Sequence, residues 1–365
     1  MPNYYDYDYS WFQNYARVVK GRSLQGVREF WTEHVAETKD DWDYLERAGG
    51  FEKLSSLRAV PGYGYNPSMT RFEKEGGSTM TDKAYRAYLE SRNLTADGYT
   101  FMEMLAVSVS REIPDGSFAF VGTGLPLLAA GLAQRTHAPE MTIILEAGTV
   151  GPRMEHLPVS VADPRAALGA ATLSSLVDAF GTIACRGYCT IGVLGAAECD
   201  KYGNLNSTGL GGYWPAGVSE NGKGPRSRFT GSGGANDIAS LADKVVAMMV
   251  HEKRRFPERV QYLTSPAGMR GPSGEDRYDC GLYRGGDICV ITDLCKMRPN
   301  PGTGVLEVTE VFPGSGGADE IAERTGWDVC FRGKETIAPP TEEELRVLRM
   351  EVDPGRLYLG REKKG

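Results

Sequence analysis

From residue 96 onward the sequence predicts an α/β fold with a mainly parallel sheet and flanking helices, and three observations lead there. Short apolar runs alternate with segments of helical apolar spacing. Phe118 to Val121 and Met141 to Leu145 flank one helical stretch, as parallel strands joined by a crossover do. Glycine-bearing turns follow several runs, where open α/β sheets place their ligand-binding loops.

Residues 1–95 read differently, as a mainly helical N-terminal extension rich in tyrosine and charge. Helical spacing links Leu24, Val27, Phe30, Trp31 and Val35, then Trp42, Leu45 and, past Gly49-Gly50, Phe51 and Leu54. A loop from Pro61 to Pro67 precedes a short helical pattern from Lys83 to Leu89. The apolar stripes are narrow and the segment is small for a separate core, so it reads as packing on another surface or as a partly ordered arm.

The α/β domain, residues 96–365, opens with Thr100-Phe-Met-Glu103, the pattern of a capping box, and its helix ends by Pro114-Asp-Gly116. Strands are expected near Phe118 to Val121, Met141 to Leu145, Cys189 to Leu194, Lys244 to Met249, Val260 to Thr264 and Ile288 to Thr292. Helices are expected near Leu127, Ala171 and Ile238 and over Glu342 to Val352.

The 365 residues carry a formal net charge of -7, which disfavours a nucleic-acid partner. No apolar run approaches a membrane span and the tyrosine-rich start does not resemble a signal peptide, so a cytoplasmic location is expected. Seven cysteines with no CxxC spacing fit reduced thiols, and four scattered histidines predict no metal site.

Glu146 is the residue on which the chemistry converges. It follows Ile143-Ile-Leu145 directly, and a carboxylate there is costly to bury unless its lost hydration is compensated. The bland alternative is a strand-end charge turned to solvent. Gly122 and Gly124 lie in the turn Val121-Gly-Thr-Gly-Leu-Pro126, which lacks the last glycine of a dinucleotide fingerprint, and no phosphate-loop lysine motif is present. A second turn holds Glu198, Asp200, Asn204 and Asn206, whose polar groups either face a cleft or cap backbone N–H groups. A third, Phe229 to Asp237, contains Gly231, Gly233, Gly234 and Asn236, and its free N–H groups suit an anion, although such turns are also common as plain structure.

Gly122-Thr-Gly-Leu-Pro126, Glu146 with Gly148, Asp200 to Thr208, Arg228 to Asn236 and Met248 to Phe256 resemble, in order, the beta subunits of glutaconate CoA-transferases. The resemblance spans roughly residues 97 to 355, and the runs Phe-Thr-Gly-Ser-Gly-Gly-Ala-Asn and His-Glu-Lys-Arg-Arg-Phe are specific. It implies a class I CoA-transferase fold and a separate alpha subunit, with an α2β2 assembly expected. It also implies that Glu146 is the nucleophile, attacking an acyl-CoA and carrying CoA as a glutamyl thioester, with coenzyme A as substrate and no permanently bound cofactor. Gly233 and Gly234 are then candidate backbone donors to the oxyanion. Gly122, Gly124, Gly231 and Asn236 are candidate coenzyme A contacts, and Glu198, Asp200, Asn206 and Arg228 are candidate positioning residues.

Ser219-Glu220-Asn-Gly222 copies the signature around the nucleophile of other class I CoA-transferases, but it sits in loop sequence between Tyr213-Trp-Pro and Lys223-Gly-Pro225, which favours Glu146. Lys253-Arg-Arg255 either meets the coenzyme A phosphates or a partner chain or forms a solvated charged end, the last being the common case. Two other functions remain open. One is a ring-opening CoA-ester hydrolase of the same fold; the other is a non-catalytic subunit completing a partner's site.

Overall fold

The computed structural model describes residues 82–360, apart from 155–156, 162, 212–226, 230 and 272. The helical patterns expected before residue 82, and Glu220 with its loop, lie outside the described residues. The described residues all fall within one compact unit, Pro67–Gly365.

In chain order, α1 (Asp82–Arg92) and α2 (Phe101–Ser110) lead into β1 (Phe118–Val121), α3 (Leu125–Arg135), β2 (Thr142–Ile144), β3 (Thr149–Val150) and β4 (Thr172–Leu173). Next come β5 (Ile191–Gly195), the short hairpin β6 (Glu198–Cys199) and β7 (Leu205–Asn206), the pair β8 (Gly209–Leu210) and β9 (Ser227–Arg228), α4 (Ala235–Leu241) and β10 (Lys244–Met248). The last part holds β11 (Asp287–Ile291), β12 (Cys295–Pro299), β13 (Leu306–Val311), α5 (Gly317–Glu323), β14 (Phe331–Thr336) and α6 (Glu342–Val347).

Ten strands form one sheet in the order β14-β13-β12-β11-β10-β5-β1-β2-β3-β4. The centre, from β11 to β2, is parallel throughout. Antiparallel pairs flank it: β2, β3 and β4 on one side, β11, β12 and β13 on the other, with β14 parallel to β13. Strand order reverses at β1, whose neighbours are β2 on one side and β5 on the other, so the carboxyl ends of these strands border a topological switch point.

Alternation along the strands explains the layers. Ala119, Val121, Ile143, Val193, Val246 and Ile291 face a core built with α2 and α3, while Phe120, Ile144, Leu194, Val245, Ala247 and Val290 face a second core containing Phe180 and Ile238 of α4. Both faces are covered, which is why the central runs are continuously apolar.

The capping box at α2 is formed: Thr100 Oγ1 accepts from the Glu103 N–H at 3.3 Å and Glu103 Oε2 accepts from the Thr100 N–H at 2.8 Å. The same buried carboxylate receives Arg349 Nε at 2.8 Å and Arg356 Nη1 at 3.1 Å, tying the start of the domain to its end. Burial raises the Glu103 carboxyl, and the Arg349 bond, the Thr100 amide and Arg356 outweigh it, leaving it below its usual range. Tyr85 and Leu89 of α1 pack with Met350 beside this cluster.

Two expected elements are corrected. At Ala171 the chain is extended, because its N–H pairs with Val150 O at 2.9 Å and continues into β4; helical turns lie on either side, a 3-10 turn over Pro164–Ala167 and a π-turn over Asp178–Ile183. Alanine's helix preference is overridden by edge pairing. Val260 to Thr264 adds no strand to the sheet, for Gln261 and Thr264 instead brace the β6–β7 hairpin. Strands β12, β13 and β14 go beyond the sequence expectation, since their apolar pattern is interrupted by charges that find partners only in the fold: Lys296 with Glu310 and Glu112, Arg298 with Glu112, and Glu307 with Arg332. No helix among the described residues is long and apolar enough to cross a membrane.

Candidate active site

Glu146 stands two residues past β2, in the turn to β3. Gly148 N–H donates to Leu145 O and Leu145 N–H to Thr149 O, each at 2.9 Å, so the turn is tight. Gly148 has φ +99°, and a Cβ there would lie 2.5 Å from the carbonyl carbon and oxygen of Ser174. Only glycine fits. The Ser174 N–H and hydroxyl both donate to Gly148 O at 2.9 Å, pinning the turn against β4.

Across from this turn, the glycine loop before α4 supplies the carboxylate's partner. The Gly234 backbone N–H donates to Glu146 Oε2. A Cβ on Gly233, at φ +49°, would lie 2.9 Å from Glu146 Oε2; one on Gly234 would lie 2.7 Å from it and 2.5 Å from Phe180 Cζ. The carboxylate is therefore seated against bare backbone. Phe180 closes the site from behind and packs on Phe120 of β1, ring centroids 5.4 Å apart. Glu146 itself is half-buried, neither enclosed in the core nor turned freely to solvent.

Gly122 and Gly124 occupy the carboxyl end of β1. Gly122 N–H donates to Val193 O at 3.0 Å, and Gly124, at φ +94°, opens α3 with no side-chain cap. Gly231, at φ +108°, would place a Cβ in open space, and Asn236 is exposed on α4. Arg228 is exposed on β9, held in place by backbone pairing with Gly209.

Glu198, Asp200 and Asn206 are buried and engaged with their own hairpin. Glu198 Oε2 accepts from Asn206 Nδ2 at 2.7 Å and from the Gln261 N–H at 3.0 Å, while Oε1 accepts from Gln261 Nε2 at 2.5 Å. Asp200 Oδ1 accepts from the Tyr202 and Asn204 N–H groups at 3.0 and 3.1 Å. Burial raises the Asp200 carboxyl, and these bonds only partly offset it. Asn206 Oδ1 takes the Thr208 and Gly209 N–H groups at 3.0 and 3.3 Å. This is the geometry of turn capping, and it shapes the wall beyond β5.

Past the carboxyl end of β5 that wall borders an open depression of about 310 Å³, bounded by Gly195, Ala196, Ala197, Ser207, Phe229, Gly231 and Arg255. Gly231 belongs to the loop that seats Glu146, so depression and carboxylate share one structural element. A second, about 270 Å³ near Pro114 and Lys244, lies at the opposite end of the strands, where Lys244 Nζ is bound to Glu112 at 2.6 Å. His251 is fully buried between Thr292 Oγ1 and Thr325 Oγ1, 3.1 Å from each, and is stacked on Phe256. Among the described residues no group of three or more His, Cys, Asp or Glu side chains is arranged to hold a metal ion.

Phe180 and Gln261 escape sequence reasoning: nothing in the local pattern around either marks a long-range role. Arg255 carries a signal, as the end of a basic run, but its place at the mouth of the site depends on the path from β10.

Residues 102–323 match the family described as coenzyme A transferase. The chain belongs to the coenzyme A transferase family. Within it, the chain is 36% identical over 253 residues to the B subunit of the 3-oxoadipate CoA-transferase of Pseudomonas knackmussii, covering 69% of this chain and 92% of that one. It is 34% identical over 268 residues to the B subunit of the glutaconate CoA-transferase of Acidaminococcus fermentans, covering 72% and 95%. The crystal structure of that organism's glutaconate coenzyme A-transferase superposes with a TM-score of 0.64, covering 72% of this chain and 98% of the other. The coenzyme A transferase match takes in β1 to β13 with their carboxyl-end loops, and the first hundred residues lie outside it.

Proposed function

We propose that this chain is the B subunit of a two-chain coenzyme A transferase, and that Glu146 carries coenzyme A as a thioester between donor and acceptor acids. The observation that carries the reading is the seating of Glu146 against Gly233 and Gly234, with the Gly234 N–H on its carboxylate. Both relatives are B subunits, which supports a separate A subunit here.

The steps balance without an external base. A Glu146 oxygen attacks the thioester carbon, the C–S bond breaks, and CoA leaves as thiolate, giving a mixed anhydride. The thiolate attacks the Glu146 carbonyl carbon, the C–O bond breaks, and the donor acid leaves as carboxylate. The acceptor carboxylate then attacks the glutamyl thioester and its C–S bond breaks, giving a second anhydride; the freed thiolate attacks the acceptor's acyl carbon, the C–O bond breaks, and Glu146 leaves as carboxylate.

Two of these additions place an oxyanion on the Glu146 carbonyl itself. The Gly234 N–H already addresses that oxygen in the resting carboxylate, so it needs no reorientation as charge develops, and a preorganised donor of this kind contributes about 3–4 kcal/mol. Transfer requires that water be kept from the anhydride, whose hydrolysis would turn transfer into thioester cleavage.

The test is mass spectrometry of the complex after incubation with an acyl-CoA and no acceptor. This chain should gain the mass of bound CoA, and Glu146→Gln should not. An actively transferring complex in which Glu146→Gln retains full turnover overturns the assignment, and quantitative release of free CoA without acceptor favours a hydrolase.

A further inference from the structure

We infer that Phe180 is a positioning residue for the transfer reaction: its ring edge confines the Glu146 side chain over Gly234, and residues 174–180 hold glutamate and ring in one frame. This rests on the transferase reading above and adds to it a residue that acts through Glu146.

The two side chains meet over bare backbone. A Cβ on Gly234 would lie 2.5 Å from Phe180 Cζ, 2.7 Å from Glu146 Oε2 and 2.9 Å from Glu146 Cβ. Ring edge and glutamate stem therefore share the space that a side chain on Gly234 would fill, and each limits the other. The atom that approaches is Cζ, on the rim of the ring, where the quadrupole is positive and a neighbouring carboxylate is favoured. With the ring in place, the Glu146 side chain is kept where Oε2 accepts the Gly234 N–H.

The ring cannot yield easily. Phe180 is 6% exposed and packs on the fully buried Phe120 of β1, centroids 5.4 Å apart and ring planes 31° apart. It belongs to the π-turn Asp178–Ile183, a widened turn of the kind found mostly at functional sites. Just before it, Ser175 N–H and Oγ both reach Asp178 Oδ2, at 3.2 and 2.9 Å, and the Asp178 N–H returns to Ser175 Oγ at 3.1 Å. Leu176 and Val177 are 52% and 72% exposed, so these bonds and the inward Ala179 and Phe180 hold the stretch down. Its first residue, Ser174, binds Gly148 O in the turn that carries Glu146. One short stretch thus fixes both the backbone that bears the nucleophile and the ring that limits its side chain.

Confinement matters because a glutamate has three side-chain torsions and Glu146 is only half-buried. Attack uses the arrangement in which the carboxylate lies on its amide donor, and losing that arrangement slows the chemical step without weakening substrate binding.

The experiment uses the complex of this chain with its A subunit and compares wild type with Phe180→Leu and Phe180→Met. Methionine extends nearly as far as Cζ and leucine does not, while both keep the position apolar. In Phe180→Leu, kcat and the single-turnover rate at which the chain gains the mass of CoA should fall about ten-fold, with KM for acyl-CoA and acceptor within about three-fold. Phe180→Met should stay within about three-fold of wild type throughout. Hydrogen exchange at the Gly234 amide should be about ten-fold faster in Phe180→Leu and near wild type in Phe180→Met. Wild-type kcat in Phe180→Leu overturns the proposal. So does an equal loss in both variants, which marks core packing alone, or a loss confined to KM. Ser174→Ala removes only the hydroxyl's bond to Gly148 and should lower kcat about three-fold; if Phe180→Leu fails to assemble, this variant decides, and wild-type kcat overturns the frame. If no donor and acceptor pair supports transfer, the transferase reading fails and exchange decides separately: faster exchange in Phe180→Leu than in Phe180→Met sustains the confinement, and equal exchange in all three proteins overturns it.

Discussion

Glu146 and Gly234, 88 residues apart in the chain, are joined by a hydrogen bond from backbone N–H to carboxylate, and the missing glycine side chain is what allows the approach. The carboxylate's environment is therefore set by backbone, whose position is fixed by α4 on one side and the β2–β3 turn on the other.

Gly234→Ala tests this arrangement. Its Cβ would lie 2.5 Å from Phe180 Cζ and 2.7 Å from Glu146 Oε2, so either ring or carboxylate must move. Transfer should fall about a hundred- to a thousand-fold, and overpacking should cost about 1–3 kcal/mol in urea unfolding. Gly355→Ala, where a Cβ meets nothing within 4 Å, should leave both measurements near wild type.

Acid should weaken the fold through Glu112. Burial pushes its carboxyl up, but Lys244, Lys296 and Arg298 outweigh that and bring it from 4.5 to about 2. The folded state thus binds fewer protons than the unfolded chain between these values, and stability is lost as pH falls through that window. The contribution is on the order of 2–3 kcal/mol. Urea midpoints of wild type and Glu112→Gln should differ at pH 7 and converge toward pH 2.

His251 should remain neutral throughout the physiological range. Burial, with a smaller effect from Arg324, lowers its pKa from 6.5 to about 4. Its contribution to stability is present above pH 6.5 and is lost as pH falls toward 4. Imidazole resonances followed by NMR should show no titration of this residue between pH 8 and 6, and a midpoint above 6 would contradict its enclosure between Thr292 and Thr325.

Glu103→Gln separates capping from ion pairing. Glutamine can still accept from the Thr100 N–H, so α2 keeps its box, whereas Arg349 and Arg356 lose their buried counter-charge. A loss of about 3–5 kcal/mol is expected in denaturant unfolding, against a few tenths if the carboxylate served only as a cap.

Much of this is legible in the residues. The central strands announce themselves because both their faces are buried, and Glu146 because a charge directly after Ile143-Ile-Leu145 demands compensation. Val260 to Thr264 has strand composition but is claimed by the β6–β7 hairpin through Gln261 and Glu198, a long-range pairing that leaves no local trace. Strands β12 and β13 hide behind Lys296 and Glu310, whose charges satisfy each other only once the strands pair. At the site, the glycines are readable as turn formers, but a turn pattern cannot say which carboxylate its N–H groups will meet. Phe180 is invisible for a similar reason, since its partners Phe120 and Gly234 come from distant segments.

The lock between Gly148 and Ser174 has one more consequence. It fastens the Glu146 turn to β3 and β4, two-residue strands at the sheet's edge, where Leu173 is 61% exposed. Such an edge opens at a lower free energy than the five-strand parallel centre. Warming should therefore release the nucleophile's turn before the sheet melts, and inactivation should precede the loss of circular dichroism.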